Sequence, residues 1–354
     1  MSEVRDIRIS ATKPLVAPRT LIDTYPVSSD GQALVARSRH QIEQVLAGKD
    51  QRLLCIVGPC SVHDPAALLE FAKAFKAGTE HLRDALLPVL RVYFEKPRSV
   101  IGWKGLINDP NLDGSFAIDE GLRMARQLLV EVIHLGLPAA TEFLDTTFGQ
   151  YYTDLISFGA IGARTVESQI HRELASGLSM PVGFKNTTTG HFGPAVDAIR
   201  SAAHAHWFPS LTLDGDPAIL QSTGNEHAYL ILRGGSDTGP NYYPSSIAAA
   251  KTALADHNLP ASIIVDCSHG NSEKQHQRQL DVVQNLATQI ANGEQAITGV
   301  MLESHLVAGQ QDIGAPELTY GQSITDACLA LDDTLPALET LALSVRQARQ
   351  LANS

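Results

Sequence analysis

From residue 53 onward, short runs of apolar and β-branched residues alternate with longer segments whose apolar positions recur every three or four residues. The short runs end in glycine or polar residues, as strands do, and the longer ones follow helical spacing. The pattern predicts strands over 53–57, 89–94, 139–143, 160–164, 182–185, 229–233, 263–267 and 299–302. It predicts helices over 66–78, 116–135, 151–157, 168–177, 194–204, 245–257, 275–292 and 323–331. Strands that alternate with helices form parallel sheets, and eight such units suit a closed α/β barrel, the (β/α)8 or TIM barrel. The rhythm breaks between 207 and 223, where two short runs flank Asp214-Gly215, a hairpin signal that places an inserted β-hairpin between the fifth and sixth strands. Residues 1–45 are polar and carry Pro14, Pro18 and Pro26, and 37–46 has a helical pattern. They read as an N-terminal extension for regulatory or subunit contacts, ahead of a catalytic barrel over 46–354. An open doubly wound sheet is the competing fold, but no Gly-x-Gly-x-x-Gly follows the first strand.

Composition narrows the function without naming it. The 354 residues carry a net charge of −11, which argues against nucleic acid or an anionic membrane as partner. Residues 1–10 have no apolar stretch resembling a signal peptide, and no run is long and apolar enough to span a bilayer. The four cysteines, Cys55, Cys60, Cys267 and Cys328, are too few for a disulfide scaffold. A reducing, cytoplasmic setting is expected.

In a barrel of this kind, reactive groups gather at the C-terminal ends of the strands. The predicted ends carry Cys60, then Arg91 with Lys96 and Arg98, then Glu142, Arg164, Lys185, Arg233, Asp266 with His269, and Glu303. The six cations among them would repel one another on one rim unless anions neutralise them. A ligand with both carboxylate and phosphate, plus a second phosphate, suits their number and shape. Cys60, His269 and Glu303 come from strand ends one, seven and eight, which are neighbours once a barrel closes. Asp326 follows at an expected helix start. One thiolate, one imidazole and two carboxylates make a mixed site for a single divalent ion, Mn, Fe, Co or Zn. Cys328, two residues beyond Asp326, raises oxidative pairing with Cys60 as an alternative fate. His204 and His206 read as a polar helix end, and Gly234-Gly235-Ser236 as a candidate backbone anion nest.

Long ordered motifs carry a resemblance across roughly residues 37–333. They are Gly58-Pro59-Cys60-Ser61, Tyr93-Phe94-Glu95-Lys96-Pro97-Arg98, Gly102-Trp103-Lys104-Gly105-Leu106, Ala140-Thr141-Glu142-Phe143-Leu144-Asp145 and Ala160-Ile161-Gly162-Ala163-Arg164-Thr165. They continue through Pro181-Val182-Gly183-Phe184-Lys185-Asn186, Leu232-Arg233-Gly234-Gly235, Asp266-Cys267-Ser268-His269-Gly270-Asn271 and Glu303-Ser304-His305. Together they resemble the type I-alpha 3-deoxy-D-arabino-heptulosonate 7-phosphate (DAHP) synthases, enzymes of the first shikimate-pathway step. The resemblance implies condensation of phosphoenolpyruvate with erythrose 4-phosphate, feedback inhibition by an aromatic amino acid, and a homodimer or homotetramer. It implies metal ligands Cys60, His269, Glu303 and Asp326. Phosphoenolpyruvate would meet Arg91, Lys96, Arg164, Lys185 and Arg233. Erythrose 4-phosphate would lie along Lys96-Pro97-Arg98-Ser99. Lys96, Glu142 and Lys185 would act in catalysis, with Lys96 as proton donor and Glu142 handling the attacking water; a purely structural Glu142 is the alternative. The effector pocket maps onto Gly149, Leu174, Leu178, Ser179, Phe208 and Ser210, and glycine at 149 leans towards tryptophan. One motif departs: Asn186-Thr187-Thr188-Thr189-Gly190 stands where relatives usually have Asn-Gly-Thr-Asp-Gly, which puts the loop beside Lys185 in question. A related octulosonate-phosphate synthase and a non-catalytic amino-acid sensor are the competing functions.

Overall fold

A computed structural model describes residues 4–352; residues 1–3 and 353–354, the outermost parts of the expected extension and barrel, lie outside the described residues. The chain opens with helices α1 (Pro18–Thr24) and α2 (Ser29–Leu46). Then come β1 (Leu53–Gly58), α3 (Pro65–Thr79), β2 (Leu86–Arg91), α4 (Ile118–His134), β3 (Ala139–Glu142), β4 (Ile156–Ile161), α5 (Gln169–Gly177), β5 (Val182–Lys185) and α6 (Gly193–Ala202). After the hairpin strands β6 (Trp207–Leu211) and β7 (Pro217–Gln221) follow β8 (Ala228–Leu232), α7 (Pro244–Ala255), β9 (Ile263–Asp266), α8 (Gln279–Ala291) and β10 (Ile297–His305). The short strands β11 (Val307–Gln310), β12 (Gln322–Ser323) and β13 (Leu329–Ala330) precede the last helix, α9 (Leu331–Ala352). Eight parallel strands run β1-β2-β3-β4-β5-β8-β9-β10, and β1 pairs with β10 to close the barrel. The fold expected from the pattern is the one formed.

Two apolar layers hold it. Leu54, Ile56, Val89, Phe158, Ile231, Ile264 and Met301 fill the barrel interior, joined by Ile42, Val45 and Leu46 from the end of α2, which plugs the N-terminal end. A larger cluster fills the space between strands and outer helices. Every position of the eight barrel strands is buried, which is why they read as continuous apolar runs rather than alternating ones. The hairpin pairs Trp207 with Gln221 and turns at Asp214-Gly215, Gly215 taking a φ of +85°. Arg19 forms an ion pair with Asp214, and its backbone N–H donates to Leu213 O at 2.8 Å, tying the N-terminal segment to the hairpin. Among the described residues no helix is long and apolar enough to cross a membrane.

Three expectations are corrected. No helix covers 151–157: two short 3-10 turns, Phe148–Tyr151 and Thr153–Leu155, lead straight into β4 at Ile156. The fourth strand therefore ends at Ile161, and Arg164 sits in the following loop rather than closing the strand. The expected helix over 323–331 is absent. Leu329 and Ala330 pair with Ser304 and His305, Gly309 and Cys328 exchange backbone hydrogen bonds, and the Ser323 hydroxyl caps Thr325 N at 3.2 Å. Ser-Ile-Thr-Asp is a local stretch whose short polar side chains compete with helix hydrogen bonds. Asp326 thus lies in a loop, and the helix begins at Leu331.

Candidate active site and metal centre

Strand register decides which side chains meet. Gly58 on β1 stands opposite Glu303 on β10, so Cys60, two residues on, arrives beside that carboxylate. Gly58 also packs tightly on β2: a Cβ there would lie 2.5 Å from Arg91 O. The loop from β12 returns over this corner, and its end is fixed by the pairing of β13 with β10. As a result the donor atoms of Cys60, Glu303 and Asp326 all lie within 4.8 Å of one another. His269 adjoins them, its Nε2 3.6 Å from Glu303 Oε1, and holds a left-handed backbone conformation (φ +57°) that fixes the turn after β9. A soft thiol and two carboxylates that converge, with an imidazole beside them, fit a divalent first-row ion.

The cations divide into two groups. Arg91 Nη2 donates to Glu303 Oε1 at 3.0 Å, Lys96 Nζ lies 2.7 Å from Asp326 Oδ2, and Lys185 Nζ lies 3.0 Å from Asp266 Oδ2. Carboxylates of the site itself therefore neutralise three of the six rim cations. Arg98, Arg164 and Arg233 are held instead by neutral groups: Trp103 O at 2.8 Å, Ser99 Oγ at 3.1 Å and Gly234 O at 3.2 Å. Arg91, Lys96, Arg164, Lys185 and Arg233 line one cleft together with Cys60, Pro97, Glu142 and His269. Several buried polar atoms of that cleft have no hydrogen-bond partner, among them Arg91 Nη1, Tyr93 Oη and Glu142 Oε1. Unsatisfied buried groups are costly, and their gathering at one mouth marks a place built for a polar ligand.

Electrostatics follow from burial and pairing. Burial raises the Cys60 thiol to about 11, with Glu303 adding to it. Burial alone would raise Asp266 as well, but His269 and Lys185 outweigh it and hold this carboxyl well below the usual range. Asp266 Oδ2 sits 3.0 Å from both His269 Nδ1 and Lys185 Nζ, though neither approach is aligned as a hydrogen bond. It therefore links the imidazole at the metal corner to a cation of the cleft. Asp266 stands in the sequence only as a strand end, and Tyr93 and Glu95, which carry no role in the motifs, also line the cleft. Their positions within the strand-end motifs were the available signal.

The loops are locked by three buried asparagines. Asn186 Oδ1 accepts from Arg233 N at 2.7 Å, Asn241 Oδ1 from Gly234 N at 2.7 Å, and Asn271 Oδ1 from Asn241 N at 2.8 Å. The divergent Thr187-Thr188-Thr189 stretch fits this frame: the Thr187 and Thr189 hydroxyls bond each other at 2.7 Å, and Thr188 O and Thr189 O accept from Ser236 N and Asp237 N. The Gly234-Gly235-Ser236 nest is not formed, because all three amides already donate, to Asn241 Oδ1, Gly239 O and Thr188 O. His204 and His206 each bond a carbonyl at the end of α6, Arg200 O at 2.8 Å and Ser201 O at 2.9 Å. Cys60 N donates to Cys328 Sγ at 3.4 Å, and all four cysteines are free. Of the residues expected to line an effector pocket, Phe208 on β6 abuts Gly177, at the end of the α5 segment that carries Leu174 and leads into Leu178 and Ser179. Ser210 lies further along the same strand, and Gly149 lies in the turn before β4, 3.6 Å in Cβ terms from the Phe143 ring.

Comparison with known proteins identifies the family. The chain is 51% identical over 345 residues to the Phe-sensitive phospho-2-dehydro-3-deoxyheptonate aldolase of Escherichia coli (strain K12), covering 97% of this chain and 98% of that one. It is 50% identical over 346 residues to the Trp-sensitive enzyme of the same strain, covering 98% and 99%. Against the tyrosine-inhibited enzyme of Schizosaccharomyces pombe it is 49% identical over 350 residues, covering 98% and 94%. Similarity this even does not select an effector. The structure of the phospho-2-dehydro-3-deoxyheptonate aldolase from Francisella tularensis SCHU S4 superposes with a TM-score of 0.94 at 47% identity, covering 96% of this chain and 99% of that one. Residues 25–339 match the DAHP synthetase I family, and the chain belongs to that family.

Proposed function

We propose that the barrel mouth condenses phosphoenolpyruvate with D-erythrose 4-phosphate, giving DAHP and inorganic phosphate, the first committed step towards the aromatic amino acids. The observation that carries this reading is the convergence of Cys60, Glu303 and Asp326 within 4.8 Å beside Lys96, at the edge of a cleft lined by Arg91, Arg164, Lys185 and Arg233. Cys60, His269, Glu303 and Asp326 would hold one divalent ion, of the Mn, Fe, Co or Zn kind. When bound, that ion supplies Lewis acidity towards an aldehyde oxygen. Arg91, Lys96, Arg164, Lys185 and Arg233 bind the carboxylate and phosphate of phosphoenolpyruvate, and Pro97, Arg98 and Ser99 line the path of the aldose phosphate. The nucleophilic methylene carbon of phosphoenolpyruvate attacks the aldehyde carbon, and Lys96 donates a proton to the oxygen that gains charge. Water then adds to the second carbon of the former phosphoenolpyruvate, Glu142 orients it and takes its proton, and phosphate departs by carbon–oxygen cleavage. The surrounding cations stabilise the charge that accumulates.

Residues 1–45 act as a regulatory and subunit-contact extension of the 46–354 barrel, in a cytoplasmic homodimer or homotetramer. The outward face of the hairpin supports subunit contact, since Trp207 and Ile219 are 65% and 72% exposed. Gly149, Leu174, Leu178, Ser179, Phe208 and Ser210 form the effector pocket, with tryptophan favoured because residue 149 bears no side chain. The test is phosphate release with phosphoenolpyruvate, erythrose 4-phosphate and manganese, repeated with each aromatic amino acid. Turnover that requires metal and erythrose 4-phosphate is expected. Turnover only with arabinose 5-phosphate would assign the octulosonate reaction instead, and none with either aldose would overturn the proposal.

A further inference from the structure

Arg91 and Tyr93 are two residues apart at the end of β2, so an extended backbone sends both side chains to the same side, into the barrel. The backbone there is pinned: Val92 N donates to Ala140 O at 2.8 Å, and Tyr93 O accepts from Val62 N at 2.8 Å. The Tyr93 ring is 2% exposed. Below it lies the apolar barrel interior, with Ile56, Val89, Phe158 and Ile231 in its cluster. Two cations stand over the ring. Arg91 Cζ stands 3.6 Å from the ring centroid, and Lys185 Nζ stands 5.8 Å from it. The two cations lean on different carboxylates, Arg91 on Glu303 and Lys185 on Asp266. Both also feel the charge of Asp266, and both stand over the Tyr93 ring.

The geometry of a guanidinium makes this arrangement informative. Its donors point outwards in its own plane, and stacking on a ring occupies a face without using any of them. Arg91 spends Nε on Pro59 O at 3.0 Å and Nη2 on Cys60 O and Glu303 Oε1, each at 3.0 Å. Nη1 is buried and has no partner. The ring thus backs the guanidinium carbon at 3.6 Å while Nη1 stays unpaired. We propose that Tyr93 is a positioning residue whose ring face sets the orientation of Arg91 and its spacing from Lys185, so that both cations address one anionic ligand. The ligand class is a small carboxylate-phosphate, and this step rests on the reading of the cleft as the phosphoenolpyruvate site. The ring face, rather than the phenol oxygen, carries the role.

The experiment compares Tyr93→Phe, Tyr93→Met and a series in which residue 93 is phenylalanine bearing one, two or three ring fluorines. Fluorination drains the ring's negative face at nearly constant shape, so it reads the cation–π contact where a packing role would stay silent. The metal-loaded enzyme is assayed for both substrates, and phosphoenolpyruvate binding is measured separately by calorimetry. Tyr93→Met is expected to raise the phosphoenolpyruvate KM about tenfold, with kcat and the erythrose 4-phosphate KM changed far less. Tyr93→Phe rescues that KM, and successive fluorines raise it stepwise. Equal KM increases in Phe and Met would assign the role to the phenol and overturn the proposal. A flat fluorine series would overturn it too, as would a fall in kcat with an unchanged KM. Wild-type protein that binds phosphoenolpyruvate in the calorimeter without turning it over would sink the catalytic reading alone, and the fluorine series on binding would still decide the role of Tyr93.

Discussion

Substituting Gly162 by alanine is a clean probe of Glu142. Gly162 follows β4 and lies against the carboxylate of Glu142 on the neighbouring strand β3: a Cβ built there lies 2.3 Å from Glu142 Oε1 and 3.0 Å from its Cδ. No backbone atom is among the three nearest atoms, all of which belong to Glu142. The glutamate is free to yield, because Oε1 has no hydrogen-bond partner to lose. Restoring ordinary contact requires the carboxylate to move by roughly 1 Å, and a misplacement of that size at a reacting centre costs on the order of a hundredfold in rate. The expected result for Gly162→Ala is therefore a kcat lower by about a hundredfold, a melting temperature within about 2 °C of wild type, and a metal content unchanged. Steady-state phosphate release, a thermal melt and metal analysis read the three quantities. Wild-type kcat with a crystal structure showing the carboxylate displaced would refute a catalytic Glu142.

Other expectations follow from the same structure. Cys60→Ala should lose stoichiometric metal and turnover while its far-UV circular dichroism stays native; full metal content measured by atomic emission would contradict the ligand set. Burial lifts the Glu95 carboxyl to about 8, far above an unfolded value of about 4.3, so the folded state prefers it protonated. That contribution is complete below the unfolded value and is lost as pH rises towards 8, at up to about 1.4 kcal/mol per pH unit. Urea titrations between pH 5 and 8 should show a shallower fall in stability for Glu95→Gln than for wild type, and parallel slopes would rule the effect out. Arg126 is fully buried, pairs with both oxygens of Asp154 at 2.8 and 2.9 Å, and donates to Tyr151 O and Tyr25 O. Arg126→Ala should cost about 3 kcal/mol, the low end for a broken buried pair because Asp154 is half exposed. A change below about 1 kcal/mol by denaturant titration would show the clamp to be dispensable.

The barrel was legible because each of its strands is buried on both faces and so appears as a short apolar run between glycines and charges. The hairpin was legible from Asp214-Gly215 alone. Elements set by tertiary contacts were not. The stretch from Ser323 to Ala330 looks helical by spacing, yet β10 extends to His305 and captures its end as a parallel strand. The segment before β4 looks helical too, but Arg39 and Arg126 draw the Tyr151, Thr153 and Ile156 carbonyls into short turns. The candidate site residues stood out because their chemistry is unusual at strand ends. Pairing was hidden: nothing in the sequence says that Lys96 meets Asp326, that Asp266 joins His269 to Lys185, or that a tyrosine lies beneath two cations. Those contacts depend on which strand ends become neighbours and how far each loop reaches.

The account stands on a single ion shared by four side chains. Crystals soaked in manganese and measured at its absorption edge test this directly. The prediction is one anomalous peak at the barrel mouth, about 2.0–2.6 Å from Cys60 Sγ, a ring nitrogen of His269, and oxygens of Glu303 and Asp326. A peak elsewhere, or a mouth in which Lys96 still bridges Cys60 and Asp326 at saturating manganese, would contradict it.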